Sequence, residues 1–291
     1  MQLIEVPAKT GYVWFRQGIW LFRRNPLAFL TVFFAYLFAM TLISRLPLIG
    51  PVLPLLLIPG VAVGFMAACR NTIAKKPVWP TVLIEGFRAY GQIVARRLLV
   101  LGVIYVAAMG LIFAASALAD GGLLLDMMLG NGPAVDPETV AASFNPLAVL
   151  VAMICYLPVA MLFWFAPILV AWHDVPPVKA LFFSFVSCWR NRGAFVIYGV
   201  LWIGIAIAVS FGLSALMQVL GAAQEMALAV LMPASILVTT ALYCSFYATY
   251  RGCFGVQSED SPDIPDPSEH GLSCMGFTGV PYIPTPSSVW N

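Results

Sequence analysis

Residues 81–118 read TVLIEGFRAYGQIVARRLLVLGVIYVAAMGLIFAASAL, and two kinds of helix follow one another in them. Set at about 100° per residue, Thr81, Glu85, Arg88, Gln92 and Arg96 share one narrow face, and Val82, Leu83, Phe87, Tyr90, Ile93 and Val94 share the opposite one. The segment from Thr81 to Arg97 therefore reads as an amphipathic helix lying on a membrane surface. From Leu98 to Leu118 no charge intervenes, and a bilayer takes about 20 apolar residues to cross. One helix on the membrane and the next through it is the unit that the chain repeats.

Outward from that stretch, the composition fits. Of 291 residues 61% are hydrophobic and 10% charged, and the mean hydropathy is +0.92. Water-soluble domains carry roughly 25% charged residues, and their surfaces do not tolerate so much exposed apolar area. The class is an integral membrane protein. Upstream, Gly11–Arg24 reads GYVWFRQGIWLFRR. Lys9, Arg16 and Arg23 stack at seven-residue spacing with Arg24 beside them, opposite Trp14, Phe15, Ile19, Leu21 and Phe22, as in a second interfacial helix. Downstream, Val178–Asn191 gathers Ala180, Ser184, Ser187 and Asn191 on one side and Leu181, Phe182, Phe185, Val186 and Trp189 on the other.

Six spans are expected, near Leu27–Ser44, Val52–Cys69, Leu98–Leu118, Pro146–Trp172, Ala194–Met217 and Met226–Tyr250. They make three hairpins, each preceded by an amphipathic helix, as parallel repeats about an axis normal to the membrane. Gly60 and Gly64 in the second span, and Gly204 and Gly212 in the fifth, provide small-residue faces for close helix packing. No short apolar leader with a cleavage site opens the chain, so the first span is expected to act as an uncleaved anchor. Residues 255–291 hold six prolines and five carboxylates with no Lys or Arg, the composition of a disordered acidic tail.

Charge sets the orientation. Of 15 Lys and Arg, only Arg45 falls on the side opposite the other 14 in this threading. The positive-inside rule then puts both termini and all three amphipathic helices in the cytoplasm, with the acidic loop 119–145 outside. Arg16, Arg23, Arg24, Arg88, Arg96, Arg97, Arg190 and Arg192 are the expected contacts to anionic phospholipid headgroups.

No Asp, Glu, Lys, Arg or His falls in the core of a span, which argues against ion-coupled transport and intramembrane proteolysis. The six cysteines, Cys69, Cys155, Cys188, Cys244, Cys253 and Cys274, form no CxxC pair, and neither a disulfide framework nor a metal site is expected. Phosphate-loop and hydrolase motifs are missing, and no cofactor or nucleic acid is implied. His173-Asp174 is the one pair with catalytic residue types; a lipid-modifying enzyme would need further polar groups, such as Arg190, to converge on it.

Three runs carry a resemblance: WFRQGIWLFRRNP at 14–26, IPGVAVGFMAACRNTIAKKPVWP at 58–80 and DVPPVKALFFSFVSCWRN at 174–191. With them the chain, from about Val6 to Tyr250, resembles an uncharacterised proteobacterial family of six-span inner-membrane proteins. The resemblance implies a topology and a compartment and carries no catalytic residues. The expected role is non-enzymatic: organising or assisting in the membrane by binding lipid, protein partners or further copies of the chain. A permease or exporter of a small apolar or zwitterionic compound is the alternative.

Overall fold

A computed structural model describes residues 3–47, 49–122, 146–219 and 224–255. The tail at 256–291 and most of the acidic loop lie outside the described residues. Among the described residues every regular element is helical: α1 (Thr10–Arg24), α2 (Pro26–Ser44), α3 (Leu53–Ile73), a 3-10 turn (Pro80–Ile84), α4 (Glu85–Arg88), α5 (Gly91–Asp120), α6 (Pro146–Phe163), α7 (Ala166–His173), α8 (Pro177–Arg190), α9 (Arg192–Val219) and α10 (Gln224–Phe254). Six candidate spans result, with α6 and α7 together making the fourth. Their outer surfaces are those of a protein solvated by lipid: Phe34, Phe38, Leu111, Val200, Ile203 and Phe211 are exposed.

The element boundaries come from local chemistry. Asn25 separates α1 from α2; its side chain accepts from the Ala28 amide, and Pro26 takes the first helical position, where its missing N–H costs nothing. The fourth span breaks at Trp164-Phe165, where Pro167 lacks the N–H that would reach the Phe163 carbonyl and its ring crowds that carbonyl. A side chain from α8 fills the gap. Ser184 Oγ accepts from the Phe165 amide at 2.9 Å and donates to the Met161 carbonyl at 2.7 Å.

Three expectations are corrected. Thr81–Arg97 is not one amphipathic helix. It divides into the 3-10 turn, the single turn of α4, and a break before Gly91, whose φ of +84° only glycine adopts without strain. Ile93, placed on the apolar face, is 67% exposed.

The second correction concerns α1. Its apolar side is covered by protein: Trp14, Phe15 and Leu21 are buried. Gly11 sits against Ala194 and Tyr198, Phe15 against Trp202, Trp14 against Gly252, and Gly18 against Ser245. From Gly11 to Gly18 the contacts ascend α9 and descend α10, so α1 runs alongside these two spans rather than flat across them.

The third is the inversion of α8. The small polar side, Ala180, Ser184, Ser187 and Asn191, is buried, while Phe182, Phe183 and Trp189 are exposed. In a bilayer small residues let helices approach and large apolar ones face the tails.

The three repeat units interlock in a ring. The 3-10 turn and α4 pack on α3 of the first hairpin, α8 on α6 and α7 of the second, and α1 on α9 and α10 of the third. Each unit's leading segment thus docks on the hairpin of the unit before it, and α1 closes the ring from the N-terminus to the last hairpin.

Candidate functional site

The second arms of the three hairpins, α3, α6–α7 and α10, meet around a cavity of about 290 Å³. Its wall is apolar and aromatic, with Ala62, Phe65, Phe163, Trp164 and Phe246, and four tyrosines, Tyr36, Tyr105, Tyr156 and Tyr243, complete it. No lining residue is charged. The aromatic rings brace one another: Phe65 lies 5.0 Å from Tyr243, Tyr105 5.0 Å from Phe163, and Trp164 4.7 Å from Phe246. Trp164 also donates from Nε1 to Thr249 Oγ1 at 3.2 Å. The volume lies near the lower end of small-molecule pockets, roughly 300 Å³.

One helical turn, about 5.4 Å, separates this cavity from a polar layer. From Met66 the turn leads to Arg70 on α3, from Ile168 to Trp172 on α7, and from Phe246 to Tyr250 on α10. Arg70 lies 4.8 Å above the Trp172 ring and donates to the Tyr90 hydroxyl at 3.2 Å. Trp172 Nε1 donates to the same hydroxyl at 2.9 Å. His173 Nε2 meets the Tyr250 hydroxyl at 2.6 Å. Arg251, half-buried and next to Tyr250 in α10, carries a buried Nη1 with no hydrogen-bond partner among the described residues. Both arginines lie within electrostatic reach of the Tyr247 hydroxyl. The ion pairs among the described residues join Arg97 to Asp174 and Arg190 to Glu5, so neither Arg70 nor Arg251 is neutralised by a carboxylate there.

The cations expected at headgroups divide into three sets. Arg97 is bound to the Asp174 carboxylate and carbonyl, and Arg190 to Glu5. Arg24 lies over Trp20 at 4.5 Å, Arg16 over Tyr12 and Arg192 over Trp189, both at 5.7 Å. Arg23, Arg88 and Arg96 are exposed. Of the glycines, Gly60 is met by the Phe87 ring and Gly64 by Leu83, so their neighbours are α4 and the 3-10 turn. Gly204 and Gly212 are corrected: a Cβ on either would meet nothing within 4 Å, and that face of α9 packs on no other part of the described chain. His173, Asp174 and Arg190 are each held by a different partner, Tyr250, Arg97 and Glu5.

Sequence reasoning missed Arg70 and Arg251, because both look like ordinary cations at span ends. It also missed the N-terminal strap. Asn191 Oδ1 accepts from the Val6 amide at 2.9 Å, its Nδ2 donates to the Ile4 carbonyl at 3.1 Å, and the Ile4 amide donates to the Cys253 carbonyl at 2.8 Å. The buried asparagine at the start of a span was the available signal.

A protein of Burkholderia thailandensis, described as a probable inner membrane protein, is 65% identical over 270 residues, which are 92% of this chain and 100% of that protein. No family model and no solved structure matches the chain. With six apolar helices and that relative, the chain belongs to this family of multi-pass inner-membrane proteins.

Proposed function

We propose that the protein is a non-enzymatic organiser of the inner membrane that holds one lipid chain in the cavity between its three hairpins. The observation that carries this is the cavity itself: about 290 Å³ between α2, α3, α5, α6, α7 and α10, lined by aromatic and aliphatic side chains without a charge. Such a lining suits an acyl or isoprenoid chain, which needs no hydrogen bonds, and the tyrosine hydroxyls suit the first polar atoms below a headgroup. The non-enzymatic part is supported by the separate engagement of His173, Asp174 and Arg190. The basic end of the bundle is read as cytoplasmic from the charge asymmetry.

Purification in mild detergent, organic extraction and mass spectrometry test the reading. The wild type should carry lipid in stoichiometric amount. Ala62→Trp, which fills the cavity, should carry less than about a tenth of it while keeping its fold. Equal lipid in both overturns the reading. The permease alternative draws on the four tyrosines, which would give a small zwitterionic solute its hydrogen bonds; uptake by reconstituted vesicles, abolished in the same variant, would favour it.

A further inference from the structure

We propose that the polar layer formed by Arg70, Arg251 and Tyr90 is a binding site for a phosphate group, occupied by the headgroup of the lipid whose chain lies in the cavity below. The inference rests on the lipid-chain reading and adds the chemistry of the head.

Three observations converge on it. Arg251 Nη1 is buried without a partner among the described residues, and a guanidinium N–H taken out of water without an acceptor is expensive. Arg70 is the second cation of the layer, and the described residues offer neither arginine a carboxylate; both lie within electrostatic reach of the Tyr247 hydroxyl, where an anion would be attracted by both. Tyr90 already accepts from Arg70 and from Trp172 Nε1, so its own hydroxyl proton is left to donate to a third group. The remaining guanidinium N–H groups and the Tyr90 hydroxyl proton form a donor set matched to phosphate oxygens. The layer stands one turn beyond Met66, Ile168 and Phe246 of the cavity wall, the separation an amphiphile needs between its head and the start of its chain. The other basic positions differ: Arg97 and Arg190 are already paired with carboxylates.

The test uses the full chain in nanodiscs of phosphatidylcholine, with or without phosphatidylglycerol of the same acyl chains. Native mass spectrometry counts the lipids retained on release. The wild type should retain phosphatidylglycerol about tenfold over phosphatidylcholine. Arg251→Gln and Arg70→Gln should each lose that preference, and Arg251→Lys should keep part of it. Lys179→Gln, the same charge change at an exposed position of α8, should leave it intact. Equal retention of the two lipids by the wild type, together with no rise in Tm on adding inorganic phosphate, overturns the phosphate site and leaves the chain-binding reading standing; retention of neither lipid overturns the reading beneath it.

If the Gln variants do not fold, the wild type decides alone, by whether phosphatidylglycerol raises its Tm more than phosphatidylcholine does. A parallel arm adds millimolar inorganic phosphate in phosphatidylcholine. A rise in Tm there without selectivity between lipids supports the phosphate chemistry and assigns the source to a soluble phosphate ester. No response to either phosphatidylglycerol or phosphate overturns the proposal.

Discussion

At the scale of single residues, buried polar side chains decide more than charges do. Asn191 is 1% exposed and uses its whole amide, accepting from Val6 and donating to the carbonyls of Ile4 and Ser187. Asn191→Ala orphans those backbone groups and should cost about 1–3 kcal/mol, read as a lowered Tm together with faster proteolysis before Lys9. Ser184→Ala removes the bridge across the break in the fourth span and should cost a similar amount, about 1–3 kcal/mol, in chemical unfolding of the purified protein.

Glu5 supplies the pH dependence. The hydrogen bond and positive charge of Arg190 hold its carboxyl below its ordinary value of 4.5. A carboxylate depressed in the native state contributes stability above its unfolded pKa, and that contribution is lost as the pH falls through the native one. Wild type and Glu5→Gln should therefore differ in Tm at about pH 7, and the gap should close as the pH is lowered through the depressed native pKa. A gap of constant size across that range would show that the ion pair is not its source. Both groups are fully exposed, so the effect is small.

At the scale of elements, the amphipathic segments are dockings between helices as well as contacts with the membrane. A Cβ on Gly11 would strike the Ala194 carbonyl, and one on Gly18 the Ser245 backbone. Gly11→Ala and Gly18→Ala should push α1 off α9 and α10 at a cost of about 1–3 kcal/mol each. Gly204→Ala and Gly212→Ala, with open space at both positions, should stay within about 0.5 kcal/mol of wild type. Thermal unfolding of the four variants side by side checks the contrast. The same wheel that revealed α1 misjudged α8. A helical wheel finds two faces but does not say which solvent each meets, and in a bilayer the small polar face is the one that turns inward.

At the scale of the whole molecule, the ring of units explains why a chain with few polar contacts has one arrangement. Each leading segment locks the hairpin before it, and α1 joins first unit to last. The axis of the ring is where the cavity and its arginine layer lie, so the site belongs to the assembly of three hairpins rather than to any one of them. The orientation proposed for the bundle is checked by tags at Asn131 and at the C-terminus, probed from each side of intact cells. They should answer from opposite compartments, the C-terminal one from the cytoplasm.

The number of spans and their helical nature were legible in the sequence. These follow from transfer energetics and the length a bilayer demands, which act residue by residue and need no knowledge of neighbours. Tertiary structure decided which faces of α1 and α8 turn inward, that Thr81–Arg97 breaks in two, that Gly60 and Gly64 pack while Gly204 and Gly212 do not, and that Arg70 and Arg251 share a layer above a cavity. The physical reason is that these depend on which distant helix supplies the opposing surface. Arg70 and Arg251 are 181 positions apart in the chain, and only the packing of α3 against α10 brings them to one site.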